Sequence, residues 1–312
     1  MPGSRNPRQD FAARLDALYA TFDHPDAATD PVQIVRRYRS SEDREVVGFC
    51  AAALAFGRVA SVLQSIEALL EVMGPHPAAF LREFKPVRHS RRIEPLVHRW
   101  IRGRDLVALL LILQRMLRQS GSIEAFFAEG DDPSAPDIGP ALDSFAKRAL
   151  ATDLREAYGK PTAKRPGVCY FFPRPSAGSA CKRLNLFLRW MVRKDAIDMG
   201  VWTSVSPSRL VVPLDTHVIR LGHCLRLQAG SCARPNNANP ALRSTLRRVR
   251  FPIGRRPPNN VTGTVAYGSF WQRGSDELFQ VGVILVRRWP VDVDHVARLV
   301  VPQGNVALLD FL

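Results

Sequence analysis

Cysteine is sparse and unpatterned in this chain. Cys50, Cys169, Cys181, Cys224 and Cys232 occur without C-x-x-C or C-x-x-H spacing. An odd number of cysteines behind no apolar export segment points to reduced thiols, not a disulfide framework. The spacing suits neither a zinc site nor a four-cysteine iron–sulfur cluster, and no cofactor is expected. Long apolar runs are missing too. The longest aliphatic stretch, LVALLLIL at 106–113, falls far short of the roughly 20 residues that span a bilayer. No membrane contact is therefore expected, and the chain reads as cytoplasmic. There is no H-E-x-x-H, no P-loop, no G-x-G-x-x-G after a strand pattern and no G-x-S-x-G. Zinc protease, nucleotide hydrolase, dehydrogenase and serine hydrolase readings are left without a motif.

The most informative gap is in negative charge. From Thr216 to Ser275 there is no Asp or Glu, while ten arginines give that segment +10 of the chain's net +15. Residues 1–215 hold 31 basic and 24 acidic groups, and residues 276–312 hold three and five. A cationic stretch of this kind suits nucleic acid. A basic tail in an arginine-rich proteome would have the same composition, so both readings stand.

What is present reads as helix after helix up to residue 227, with no strand required. SEDREVVGFCAAALAFG opens with Ser and acids and then runs apolar on nearly every side, the pattern of a buried helix. RVASVLQSIEALLEVMG places Val59, Val62, Leu63, Ile66, Leu69, Leu70 and Met73 at helical spacing and stops at Gly74 with Pro75 behind it. HPAAFLREF, RDLVALLLILQRMLRQSG, SIEAFFAEG and ALDSFAKRALATDLREAYG predict further helices. The loop KPTAKRPGVCYFFPRPSAG then leads into SACKRLNLFLRWMVRK, whose stripe is Leu184, Phe187, Leu188, Met191 and Val192, with Lys182, Arg183, Arg189 and Arg193 off it. AIDMGVWTSVSPSRL reads as a turn-rich connector. The expected organisation is an N-terminal helix and arm at 1–29, a helical core at 30–227 and a divergent Arg/Pro-rich tail at 228–312. Within that tail VTGTVAYGSFW and ELFQVGVILVRRW suit short strands.

The segment VVPLDTHVIRLGHCLRL, 211–227, puts a single carboxylate, Asp215, at a helix entrance. Asp215 is either an ordinary N-cap, bonding backbone N–H groups two or three residues on, or the reacting group of a site that meets a polyanion. The two roles can coexist. His217 beside it reads as a structural histidine, and Arg220 as a group within reach of a phosphate.

PLDTHVIRLG is similar to the signature with which the helix-hairpin-helix DNA glycosylase superfamily presents its catalytic aspartate. DREVVGF, GRVASVL, HPAAFLR, SACKRLNLFLRWMVRKDAIDMGVW and PLDTHV together resemble, more closely, a bacterial family of uncharacterised function related to those glycosylases. The resemblance covers roughly residues 30–227 and fades after Leu227. Either a genuine module or a shifted reading frame accounts for the tail. The resemblance implies an all-α, two-lobed core with a cleft, a hairpin at about 173–194 and an Asp-bearing segment at 211–227. It implies DNA as partner and base excision as activity. Asp215 would be the catalytic carboxylate, stabilising the positive charge that builds on the sugar once the base has left the stack. Gly178, Ser179, Lys182, Arg183 and Arg220 would hold phosphates, and Lys182 would be the candidate amine nucleophile. Two departures bear on Lys182: the hairpin pattern L-P-G-V-G is absent, and 33 residues separate it from Asp215, more than in those enzymes. Phosphate binding and plain solvation stay open for it.

The block RKDAIDMGVW leaves two readings, a buried polar network that shapes a pocket or a surface ion pair of Arg193 with Asp195 or Asp198 that contributes little. Trp190 and Trp202 are expected in the core. Tyr170, Phe171 and Phe172 either seal the loop onto the core or form a wedge against bases. Two alternatives to the enzyme remain: a non-catalytic nucleic-acid-binding protein of the same fold, or an inactive member with an aberrant C-terminus.

Overall fold

The structure is a computed structural model. It describes residues 30–159 and 166–213 in full, scattered residues of 17–25, and the backbone of two strands, Val265–Gly274 and Glu277–Val286. Thr29–Pro213 forms one compact unit, while 1–28 and 214–312 are grouped in another.

The first unit is helical, as expected. Its elements are α1 (Val32–Arg36), α2 (Ser41–Leu54), α3 (Val59–Met73), α4 (Pro77–Arg82), α5 (Pro86–Ile93), α6 (Gly103–Ser120), α7 (Ile123–Ala128), α8 (Gly139–Leu150), α9 (Arg155–Tyr158) and α10 (Lys182–Val192). No helix among the described residues is long and apolar enough to cross a membrane.

Helix α2 is the centre of the unit. Ser40 Oγ accepts from Asp43 N at 3.3 Å, and Glu42 and Asp43 sit in the positive first turn. Every residue from Glu45 to Leu54 is buried. The two carboxylates hidden in this helix each cap another one. Asp43 Oδ1 accepts from Ala78 N at 2.8 Å, supplying α4 with the cap that His76 does not provide. Glu45 accepts from Ile123 N at 2.9 Å and Glu124 N at 3.1 Å at the start of α7, and from the Trp202 indole N–H at 2.7 Å. Buried acids of this kind are tolerated because donors from elsewhere replace water.

Helix α10 packs on α2 at close range. A methyl group at Gly48 would stand 2.9 Å from Met191 Cε, so the end of the Met191 side chain would have to shift to admit it. Around the crossing, Phe49 meets Phe187, Phe172 and Phe145 with ring centroids 5.1, 5.3 and 6.2 Å away. Phe171, Phe172, Trp190 and Trp202 are all buried. The loop aromatics therefore seal the core with the exception of Tyr170, and both tryptophans lie inside.

Three local features differ from the sequence reading. ALDSFAKRALATDLREAYG is two helices, α8 and α9, because Asp153 Oδ1 accepts from Arg155 N at 3.0 Å and restarts the chain there. α5, rich in arginine and exposed on most of its surface, had no apolar stripe to announce it. A short antiparallel hairpin, β1 (Val97–His98) and β2 (Ile101–Arg102), interrupts a region expected to need no strand. Two-residue strands joined by Arg99-Trp100 carry no glycine or asparagine turn signal. In the other unit, β3 (Val265–Gly274) and β4 (Glu277–Val286) pair antiparallel from Val265↔Val286 to Gly274↔Glu277, in the stretch where strands were expected.

Glu45→Ala should lower stability by about 3–5 kcal/mol, since two buried donors and one half-buried donor lose their acceptor at once. Urea denaturation measures it; a change below about 1 kcal/mol would show that the α7 N-terminus does not depend on Glu45.

Candidate nucleic-acid interface

The predicted hairpin region is built from turns followed by α10. Two 3-10 turns, Gly167–Tyr170 and Pro175–Ala177, precede it where a regular helix would enter a helix-hairpin-helix unit. Gly178 then adopts φ +86°, a left-handed conformation that favours glycine. Ser179 Oγ accepts from Cys181 N at 3.1 Å, and Cys181 itself is left-handed at φ +49°. From there the chain enters α10 with no side-chain cap and no acid in the first turn. Lys182 occupies the first helical position and is half-buried. The local geometry thus gathers Gly178, Ser179 and Lys182 at the positive end of a helix dipole.

Arg183 makes contacts that the sequence did not announce. Its Nη1 donates to Ala53 O at 2.8 Å and its Nη2 to Tyr170 O, while the guanidinium carbon lies 3.7 Å from the Tyr170 ring centroid and 5.1 Å from that of Phe56. Burial pulls its pKa down to about 10, against the attraction of Tyr170 and Cys181. The expectation was a phosphate contact or a solvated side chain. The guanidinium instead clasps the end of α2 to the loop before α10, because two carbonyls and two rings converge where it emerges.

The paired charged side chains of the block RKDAIDMGVW and of Arg189 before it are buried, which favours the buried polar network over the surface ion pair. Arg189 donates from Nε and Nη2 to Asp198 at 2.9 and 3.1 Å. Arg193 Nε lies 3.5 Å from the same carboxylate, and its Nη2 donates to Asp195. All four side chains are less than a tenth exposed. Burial opposes the Arg189 charge, but Asp198 more than offsets it and holds the guanidinium above its ordinary value. Burial also raises the Asp198 carboxyl against the pull of both arginines. The bidentate contact is that of an ionised pair. Met199 N and Trp202 N then donate to Trp190 O and Met191 O, satisfying carbonyls at the end of α10.

Asp30 completes this interior. Its Oδ1 accepts from Val32 N at 2.7 Å, and its buried Oδ2 has no hydrogen-bond partner among the described residues. Burial pushes its carboxyl up to about 6, with Arg189 pulling the other way. Nothing in the sequence set Asp30 apart from other acids, and Glu45 was equally unmarked.

Asp215, His217 and Arg220 lie outside the described residues, as does most of the tail. Of the predicted site residues, the structure brings together Gly178, Ser179, Lys182 and Arg183. None of Cys50, Cys169 and Cys181 forms a disulfide, and no metal-binding group of three or more His, Cys, Asp or Glu occurs among the described residues.

Fold and site together define a helical protein whose core is organised around buried Arg–Asp pairs behind a basic helix entrance. The chain belongs to the family described as Protein of unknown function (DUF2400), whose model matches residues 30–250. The match starts where the core was expected to start and continues past Leu227, where the resemblance was expected to end. No curated protein matches the chain, and no solved structure does.

Asp198→Ala should cost about 3–5 kcal/mol by stranding the buried Arg189 guanidinium and taking one partner from Arg193, whereas removing the exposed Asp153–Arg155 ion pair should leave the transition far less changed. Chemical denaturation of the two variants compares them directly. The elevated Asp30 pKa carries its own sign. The folded state holds the proton more tightly than the unfolded one, so the contribution to stability is complete below about pH 4 and is lost as pH rises through about 6. Asp30→Asn should match the parent at about pH 4 and exceed it by up to roughly 3 kcal/mol above about pH 7. A difference independent of pH would contradict the elevated pKa.

Proposed function

We propose that the protein binds DNA at the entrance of α10 and is of the base-excision glycosylase type, with Asp215 as its key carboxylate. The observation that supports binding is the character of that entrance. The N-cap residue Cys181 caps it with no side-chain hydrogen bond, and its first turn holds no acid. It lies within a stretch, 157–194, that holds nine Lys and Arg and no Asp or Glu. Backbone N–H groups and a helix dipole at such a point hold a phosphate without reading sequence. Gly178 and Ser179 let the backbone approach, and Lys182 adds charge. Arg220 is assigned a further phosphate, and Arg183 acts by fixing the loop. Support for the chemistry is the similarity of PLDTHV to the glycosylase signature. In that reading Asp215 stabilises the positive charge that develops on the sugar, or activates the attacking nucleophile. Lys182 is the candidate amine, its alternative role being a phosphate contact.

The test compares equilibrium binding of the whole chain to a duplex with a stable abasic-site analogue and to its undamaged twin, at two salt concentrations. The expected result is preference for the abasic duplex. Asp215→Asn should keep that preference while abolishing base release from whichever duplex in a panel of single damaged bases is processed. Equal and steeply salt-dependent affinity for the two duplexes would overturn the glycosylase reading and leave counterion release by arginines as the whole of the binding.

A further inference from the structure

A second feature of the same surface was invisible in the sequence. Trp100, at the tip of the β1–β2 hairpin, is 50% exposed, and Tyr170 is 36% exposed. The two rings meet edge to face at 5.1 Å, and each meets Phe56, at 4.9 and 5.0 Å. The guanidinium of Arg99 lies 5.3 Å from the Trp100 ring centroid, and that of Arg183 lies 3.7 Å from the Tyr170 centroid. Beneath them His98 bolts the hairpin to the core, its Nε2 2.8 Å from Phe56 O and its Nδ1 2.9 Å from Ser65 Oγ.

Two further observations separate this patch from an incidental cluster of rings. Arg99 and Cys181 are the non-glycine residues with left-handed φ among the described residues, at +56° and +49°, and each sits in a segment that builds the patch or adjoins it. A left-handed L-residue costs roughly 1–2 kcal/mol, so the hairpin tip is held in a conformation that local energetics disfavour. The charge is also one-sided. The three segments that form the patch, 55–66, 95–104 and 166–194, contain no Asp or Glu. Arg58, Arg99, Arg102 and Arg104 along the first two are all exposed. A partner must therefore present flat apolar faces and negative charge together, with no call for cations of its own. Unpaired nucleic-acid bases on a phosphodiester backbone fit that description. The faces of bases within an intact duplex are already stacked on one another and do not.

We propose that Trp100 and Tyr170 form a stacking platform for an unpaired base, with Arg99 meeting the adjoining phosphate. This rests on the nucleic-acid reading above and deepens it: the surface takes a single-stranded or extruded nucleotide beside the helix entrance that holds the backbone.

The test uses the whole chain and three probes: a short labelled oligothymidylate, a matched duplex, and heparin as a polyanion without bases. Trp100→Ala should weaken oligothymidylate binding about tenfold and leave heparin binding unchanged, while Trp100→Phe should retain most of the affinity. Arg99→Gly should weaken oligothymidylate binding and flatten its salt dependence without lowering Tm, because glycine suits the left-handed φ. Unchanged affinity of Trp100→Ala for oligothymidylate would overturn the platform. An equal loss for heparin would do the same, as would self-association of the parent that disappears in Trp100→Ala while oligothymidylate binding stays the same, which would make the patch a protein contact. The two proposals fail separately. Loss of abasic preference with the Trp100 effect intact removes only the glycosylase reading, and the reverse pattern removes only the platform.

Discussion

Helices α2 and α10 pack against one another across Gly48, Phe49, Phe187 and Met191, and much else in the described core follows from that contact. Helix α10 is enclosed on every side from Leu184 to Val192. A helix enclosed in that way has no solvent face for its polar residues, so Arg189 is carried into the interior with the rest. A buried guanidinium is sustained by a carboxylate that accepts from it, and Asp198 takes two of its N–H groups from the turn that follows the helix. The network in RKDAIDMGVW is in this sense the consequence of the enclosure of α10.

The same logic governs the carboxylates. Asp30, Asp43, Glu45, Asp105 and Asp198 are buried, against Arg189, Arg193 and Arg209. Each buried acid accepts a backbone or side-chain donor, so the acids work as caps and braces within the unit. More acids than bases are thus withdrawn from the described surface, leaving it more basic than the composition indicates. The positive field that a polyanion would meet is partly a product of folding.

The surface around the entrance of α10 shows two ways of using arginine. Arg183 is turned inward onto carbonyls and rings, where it shapes the loop. Arg99 is turned outward on a strained hairpin tip beside an exposed indole. The residues are of one type, and only their surroundings distinguish a clasp from a contact.

Much of the helical outline was legible, because its signals are short-range. Ser41 before acids and an apolar run, one residue past the observed cap Ser40, and Gly74 after a period-3.6 stripe mark ends that the structure reproduces. Other features were hidden for physical reasons. α5 has almost no apolar face to read, and Arg99-Trp100 lacks the glycine that normally announces its turn. Glu45 receives its indole donor from Trp202, 157 residues away, and Phe56, Trp100 and Tyr170 meet from three separate segments. The sequence by itself determined the helical class, the strand-forming stretch of the tail and the basic character of the chain, since periodicity, capping and charge are written residue by residue. Only the tertiary structure decided that Arg189 is interior, that Arg183 is a clasp and that Trp100 faces solvent. Those outcomes depend on contacts between distant segments, and no fixed spacing along the chain encodes them.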